Sequence, residues 1–594
     1  MAAKRIITLS RHLVPCGTAS EVASVGQPSA DVVIRGALLV DGTGAKGSVG
    51  DLAVQGGKIM YVGSRFEGTG CQELSGEGKV LAPGFIDIHT HFDPQLCWDG
   101  AARPCLEHGV TTVVTGNCSL SLAPVRDRKA ADKIVSMFNV IEDIKVATFD
   151  AAVPFAWEHF GEWLDFIRPK LSVNVAPLVG HSAVRLYVMG EDSQQRAATD
   201  EEIDAMCRII EGAMEAGAVG VSSSYVDVDE RARPVPSRYA DLREKTKLAQ
   251  AMARAGRGRH GHGPGVWEVV HSFNDRGGLK GDMDEHSSLR ELGQISIESG
   301  AAVSYQPVIL DKRKLQQTVS LLEDVRGRGG RLRGQIQVGD FVNHLRLSET
   351  NEWFMQVKHW GRNMWGRSKE DRLKAFADPR EQDLLIKALE KDPKKKWFQS
   401  WWVSQVSHLD NQRYLRRRLG EIAAEEGKEL GRVILEISLR DDLEAAFAFM
   451  APKPLSTIAD LVESSSSVFE FGASDAGAHV TQKCGTGETT DVLVNFVRGG
   501  AMALEKAVHE LTGKAAELWG IADRGTLRVG NAADLVLFDL DQVKNCDLEY
   551  VNDVPGGQSR YFRHAQGFEA VLVNGTLVLV KDKYTGAKGC GSLV

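Results

Sequence analysis

The segment PGFIDIHTHFD places His89 and His91 two residues apart at the end of an apolar run. In an extended strand, residues i and i+2 point to one face, so both imidazoles can share one cation. A single histidine there would read as a core residue; two at this spacing, followed by Asp93, read as metal ligands. Cys118 closes another apolar run, VTTVVTGNCSLS. A thiolate is a natural soft ligand beside that pair, although a lone buried cysteine is more often a small hydrophobe. The third element is FGASDAGAHV. Asp475 stands there among small residues, where a carboxylate can touch a metal and accept a proton from water. The same aspartate would also suit a helix N-cap before AGAHV. His479 reads either as an outer partner or as turn structure. The chemistry these types suggest is metal-assisted hydrolysis.

Residues spread from position 89 to position 475 need a scaffold that gathers distant strand ends. The runs FIDIH, VTTVVTG, SVNVAPLVG, AVGVSSS, VWEVVHS, AAVSYQPVI and SVFEFGASD end in polar or glycine-rich turns. Many precede helical stretches such as DEEIDAMCRIIEGAMEAG. That alternation predicts an α/β fold, a (β/α)8 TIM-like barrel whose strand C-termini carry the chemistry. A doubly wound sheet competes, but its glycine-rich fingerprint is missing after the first strand. Short β-rich runs at both ends, DVVIRGALLV early and ADLVLFDL and AVLVNGTLVL late, predict one small β-sandwich built from both termini. Residues 340–450 break the rhythm. They are dense in charge and hold Trp353, Trp360, Trp365, Trp397, Trp401 and Trp402, six of the eleven tryptophans. A helical insertion is predicted there, its indoles forming a core of their own or a lid over substrate. The expected divisions are an N-terminal extension (1–30), an N-terminal sandwich segment (31–82), the barrel (83–339), the Trp-rich insertion (340–450), the end of the barrel (451–523) and a C-terminal sandwich segment (524–594).

The chain has 594 residues, 43% of them hydrophobic, which is globular composition. With 71 Lys+Arg against 79 Asp+Glu, the net charge of −8 argues against a nucleic-acid binder. No stretch approaches the roughly 20 apolar residues of a membrane span, so no membrane partner is expected. Nine cysteines without paired spacing fit a reduced compartment, and the cytoplasm is the expected location.

VDGTG, APGFIDIHTHFD, TGNCS, GHSAVR, VPSRYADL, ASDAGAHV and ADRGTLRVGNAADLVLFD follow one another along residues 31–594. In these motifs the chain resembles the amidohydrolase superfamily and, through Cys118, its N-acyl-D-amino-acid deacylase (D-aminoacylase) family, as a divergent subgroup. The resemblance implies Zn2+, one ion or two, with His89, His91 and Cys118 as ligands and Asp475 as the catalytic acid/base that also reaches the metal. It further implies two mid-barrel histidine ligands. His271, in VWEVVHSFND, is the candidate on strand five, whereas Gln306 or Tyr305 stands where the next is expected. His260 and His262, in GRGRHGHGPG, are spare histidines more suited to a surface loop. The resemblance places GHSAVR near the site, where His181 and Arg185 are candidate substrate contacts; an arginine can hold a carboxylate bidentately. An ordinary surface ion pair is the competing reading, and Arg238 has the same status. The implied partner is a small-molecule amide, and self-association into a homo-oligomer is compatible with the chain. Cyclic-amide or dipeptide hydrolysis, deamination using His271 with Glu268, and a metal-free scaffold are the rivals.

Overall fold

The computed structural model describes residues 29–594 except 258–262, 273–282, 350, 365–366 and 466. His260, His262, Trp365 and nearly all of the expected N-terminal extension therefore lie outside the described residues. Eight strands carry the chemistry-bearing segments: β1 (Phe85–Asp87), β2 (Val110–Thr115), β3 (Asn174–Gly180), β4 (Gly220–Ser224), β5 (Val266–Val270), β6 (Ala302–Gln306), β7 (Arg331–Ile336) and β8 (Phe469–Phe471). They pair in sequence order, parallel at every step. Just beyond β1 and β8 the sheet closes on itself. Ile88 N donates to Gly472 O at 3.0 Å, Asp475 N to His89 O at 2.9 Å, and His91 N to Ala476 O at 2.7 Å. The result is a (β/α)8 barrel.

Local sequence explains the crossovers. The helix Asp200–Ala216 starts at a Thr199–Glu202 capping box, buries Ile203, Met206, Ile210, Ala213 and Met214 along one stripe, and stops at Gly217, whose φ is +135°. β7 escapes the apolar-run criterion because Arg331, Arg333 and Gln335 interrupt it. Inside the barrel, Ile86, Ile88, Val114, Ala176, Leu178, Val266 and Ala473 form an apolar floor with Trp519. Above that floor lie buried Glu268, Ser304, Gln335 and Glu470. Polar atoms in such a layer must find partners within it.

Strands from both ends of the chain share one nine-stranded sheet. Its joint is Val80–Pro83, paired antiparallel with Leu535–Phe538. Ile34, Leu52, Val54, Leu81, Leu535, Leu537 and Leu572 fill its core. A long hairpin, Lys544–Val554 with Gln558–Gln566, returns to the barrel mouth, where Tyr561 N donates to Val480 O at 2.8 Å.

The expected helical insertion is in fact mixed. Phe341–Arg346, Trp402–Gln405 and Ala446–Ala451 form a three-stranded antiparallel sheet beside its helices. Its runs, FVNHLR, WVSQ and AFAFMA, are short and far apart in a segment dominated by helices, so they do not read as one sheet. Phe354, Trp360, Phe398, Trp401 and Phe449 form a separate core, with Trp353 and Trp397 packed on it. Among the described indoles, then, four serve the insertion's own packing. No helix among the described residues is long and apolar enough to cross a membrane.

Candidate metal centre

His89 and His91 follow β1 on the chain segment that closes the barrel, and the turn after β2 presents Cys118. That turn runs through left-handed backbone, φ +57° at Cys118 and +64° at Ser119. Such angles are uncommon for side-chain-bearing residues and need support from their surroundings. Glu268 on β5 supplies some of that support, its Oε2 accepting from Cys118 N at 3.3 Å.

The two Nε2 atoms lie 3.3 Å apart, and Cys118 Sγ is 3.7 Å from each. At usual zinc–nitrogen and zinc–sulfur lengths, a tetrahedral centre has N···N and N···S edges of about 3.3 and about 3.6 Å. The observed triangle matches those edges. Its outer partners orient the lone pairs inward. Gln335 Nε2 donates to Ser304 Oγ at 2.8 Å, so its Oε1 faces His89 Nδ1 at 2.9 Å and accepts a hydrogen bond from that ring's N–H. His91 Nδ1 lies 3.2 Å from Glu142 Oε1, close enough for charge pairing but off hydrogen-bond alignment. Three donors thus converge on one point with all three side chains buried. A metal cation fits them, and the carboxylate and amide behind the imidazoles are the usual outer support of such ligands.

Electrostatics separate the two rings. Burial and the neighbouring His91 lower His89 to about 3. Burial also depresses His91, but Glu142 and Asp475 outweigh it and lift that ring to about 9. Burial pushes the Cys118 thiol well above its ordinary value. It likewise raises Glu142 and Glu268 to about 8.

Asp475 lies at the mouth in left-handed backbone, φ +61°. Its Oδ1 is 3.2 Å from His91 Nε2 and 3.9 Å from His89 Nε2, and its Oδ2 accepts from Lys483 Nζ at 2.6 Å. Burial pushes its carboxyl up, yet Lys483 and the imidazoles hold it well below the usual carboxylate range. Asp87 stitches the seam below, accepting from Ser474 Oγ at 2.5 Å and Ser474 N at 3.2 Å.

Other sequence candidates fall elsewhere. The structure does not bring His271 to the cluster. Its Nε2 donates to Pro307 O at 2.9 Å and its Nδ1 meets Ser288 Oγ at 3.1 Å, so neither nitrogen faces the cluster. The β5 residue that does reach inward is Glu268. Nor does the structure bring His181 and Arg185 to the cluster. His181 Nε2 pairs with Glu244 Oε1 at 2.9 Å, Arg185 donates to Glu244 Oε2, and all three side chains are buried. The helix starting at His181 carries Arg185 inward, into a buried ion pair and not the surface one expected as the alternative. Arg238 Nη1 donates to the carbonyls of Val226 and Asp227 at 2.7 and 3.1 Å, bracing the loop after β4. His479 N donates to Glu142 O at 2.6 Å, and its ring lies within electrostatic reach of Lys483, Asp475 and His91. Glu142, Gln335 and Lys483 carry no signal in the sequence. For Glu268 a signal exists, a lone charge inside the apolar run VWEVV.

A (β/α)8 barrel with such a cluster at its strand ends has the architecture of a metal-dependent amidohydrolase. Residues 72–291 match the amidohydrolase family, and the chain carries that domain. Relatives that align over nearly its whole length include N-acyl-D-amino-acid deacylases. It is 29% identical to the N-acyl-D-aspartate deacylase of Alcaligenes xylosoxydans xylosoxydans, covering 95% of each chain. It is 27% identical to the D-aminoacylase of the same organism, over 94% of this chain and 96% of that one. In fold it is similar to a solved D-aminoacylase, with a TM-score of 0.61 at 24% identity, covering 95% of this chain and 99% of that one. The same coverage holds for N-acyl-D-glutamate deacylase from Bordetella bronchiseptica, solved with zinc and a phosphonate mimic of the tetrahedral intermediate, at a TM-score of 0.62 and 23% identity.

Proposed function

We propose that this protein is a zinc-dependent hydrolase that cleaves the amide bond of N-acyl-D-amino acids. The observation that carries the reading is the triangle of His89, His91 and Cys118 with the Asp475 carboxylate 3.2 Å from His91 Nε2. The deacylase homologues support the substrate class, and the zinc-bound relative supports the metal. His89, His91 and Cys118 would hold the ion, with Asp475 at its open side. A bound divalent ion supplies Lewis acidity and makes water acidic enough to ionise near neutral pH.

The chain's own residues perform the rest. Asp475 is kept ionised by Lys483 and so is ready to accept a proton as water attacks the acyl carbonyl. It then delivers that proton to the departing nitrogen, which cannot leave as an amine anion. Buried walls around His89, His91 and Cys118 exclude bulk water and strengthen each charge interaction.

Asp475→Asn keeps the shape and removes the base. Turnover of N-acyl-D-amino acids, followed by amine release, should fall about 10²- to 10⁴-fold while zinc content by elemental analysis stays near wild type. Near-wild-type turnover in that variant would sink the assignment. A wild-type protein that takes up no metal would favour the scaffold reading.

A further inference from the structure

Gln306 ends β6 with its carboxamide turned into the cluster. Its Nε2 is 3.0 Å from His89 Nε2 and 3.8 Å from Cys118 Sγ. Those two separations resemble the ones the three donors keep among themselves, so the amide end stands against the His89–Cys118 side of the cluster. The mount is firm. Gln306 O accepts from His271 N at 3.0 Å, and the next carbonyl, that of Pro307, accepts from the His271 ring.

We infer that Gln306 is a further protein ligand of the metal, through its carboxamide oxygen. In this structure its N–H donates to the free lone pair of His89. A cation would take that lone pair and leave the N–H facing positive charge. Rotation by half a turn about the terminal torsion, which is two-fold and soft, puts Oε1 where Nε2 now stands. A neutral oxygen donor there adds no charge to a site already holding a thiolate and Asp475. It also fills the face beside His89 and Cys118, so the chain binds one ion per site.

The inference rests on the metal site proposed above. The test is cobalt(II) titration of the full-length apoprotein, reading affinity, stoichiometry and the ligand-field spectrum. The wild type should bind one equivalent with a thiolate charge-transfer band. Gln306→Leu should weaken binding at least 10-fold and shift the ligand-field bands, keeping the thiolate band. Gln306→Glu, which retains an oxygen on that side, should restore or exceed wild-type affinity. Melting curves of the metal-free variants guard against misfolding. Unchanged affinity and spectrum in Gln306→Leu, or two equivalents in the wild type, would overturn the inference. Wild type without a thiolate band would overturn it together with the metal site. Loss of amide hydrolysis as the activity would leave these spectra intact, so the two failures are distinguishable.

Discussion

At the scale of residues, the site is defined by who holds which proton. Without metal, His91 carries one up to about pH 9, and the Cys118 thiol holds its own still higher. Both must leave before the lone pairs can bind. Below those values protons compete with the cation, so affinity should rise with pH by about 100-fold per unit, two protons' worth. Zinc competition against a chromophoric chelator at pH 6, 7 and 8 measures this; a flat dependence would mean the donors are already deprotonated. Asp475 works in the opposite sense, because Lys483 lowers its proton affinity. Lys483→Met should raise the carboxyl's pKa and move the acidic limb of the kcat/KM profile to higher pH, since an ionised base is then lost sooner on acidification. An unmoved limb would show that Lys483 does not tune Asp475. His89, His91, Cys118 and Asp475 are legible in the sequence because their types are chemical and their positions close apolar runs. Gln335 and Glu142 are not, since an amide and a carboxylate gain meaning only from the ring nitrogen they face.

At the scale of elements, the insertion both packs on itself and braces the mouth. Trp360 and Trp401 are fully buried in its core, with Phe354 stacked on Trp360 at 5.1 Å between ring centres. Its first strand reaches the segment after Asp475, where His344 N donates to Gln482 O at 2.7 Å and Arg346 Nη1 to Thr481 O at 2.8 Å. Trp360→Ala should cost the insertion about 3–5 kcal/mol. Limited proteolysis should then cut first within 340–450, with activity falling because the Thr481–Gln482 brace loosens. First cleavage within the barrel would show that the insertion has no separate stability. Tryptophan density betrays this unit in the sequence. Its sheet stays hidden because its short strands lie far apart among helices and lack the polar alternation that marks a half-buried strand.

At the scale of the whole molecule, the barrel's lower rim is tied to the terminal sheet by a polar knot. Asn174 of β3 donates to Asp534 at 2.8 Å, Arg524 pairs with Asp534, and Ser592 and Asn574 join them. Asp534→Ala would leave the buried Arg524 with only the exposed Asp523, 3.8 Å away, as counter-charge, a loss of about 3–5 kcal/mol. A clear fall in melting temperature is expected, and an unchanged one would mean water replaces the pair. The barrel rhythm and the matching β-rich ends are readable because repetition and composition survive without a third dimension; which strand of one end pairs with which strand of the other is not. The closure described above sets a schedule for biogenesis. A ribosome emits His89, His91 and Cys118 early, yet the backbone that pins His89 and His91 belongs to residues 472–476, and the base arrives with it. A truncated or half-made chain therefore exposes its soft ligands without acquiring a competent hydrolase, and the cell meets no amide-cleaving activity until the eighth strand has been translated.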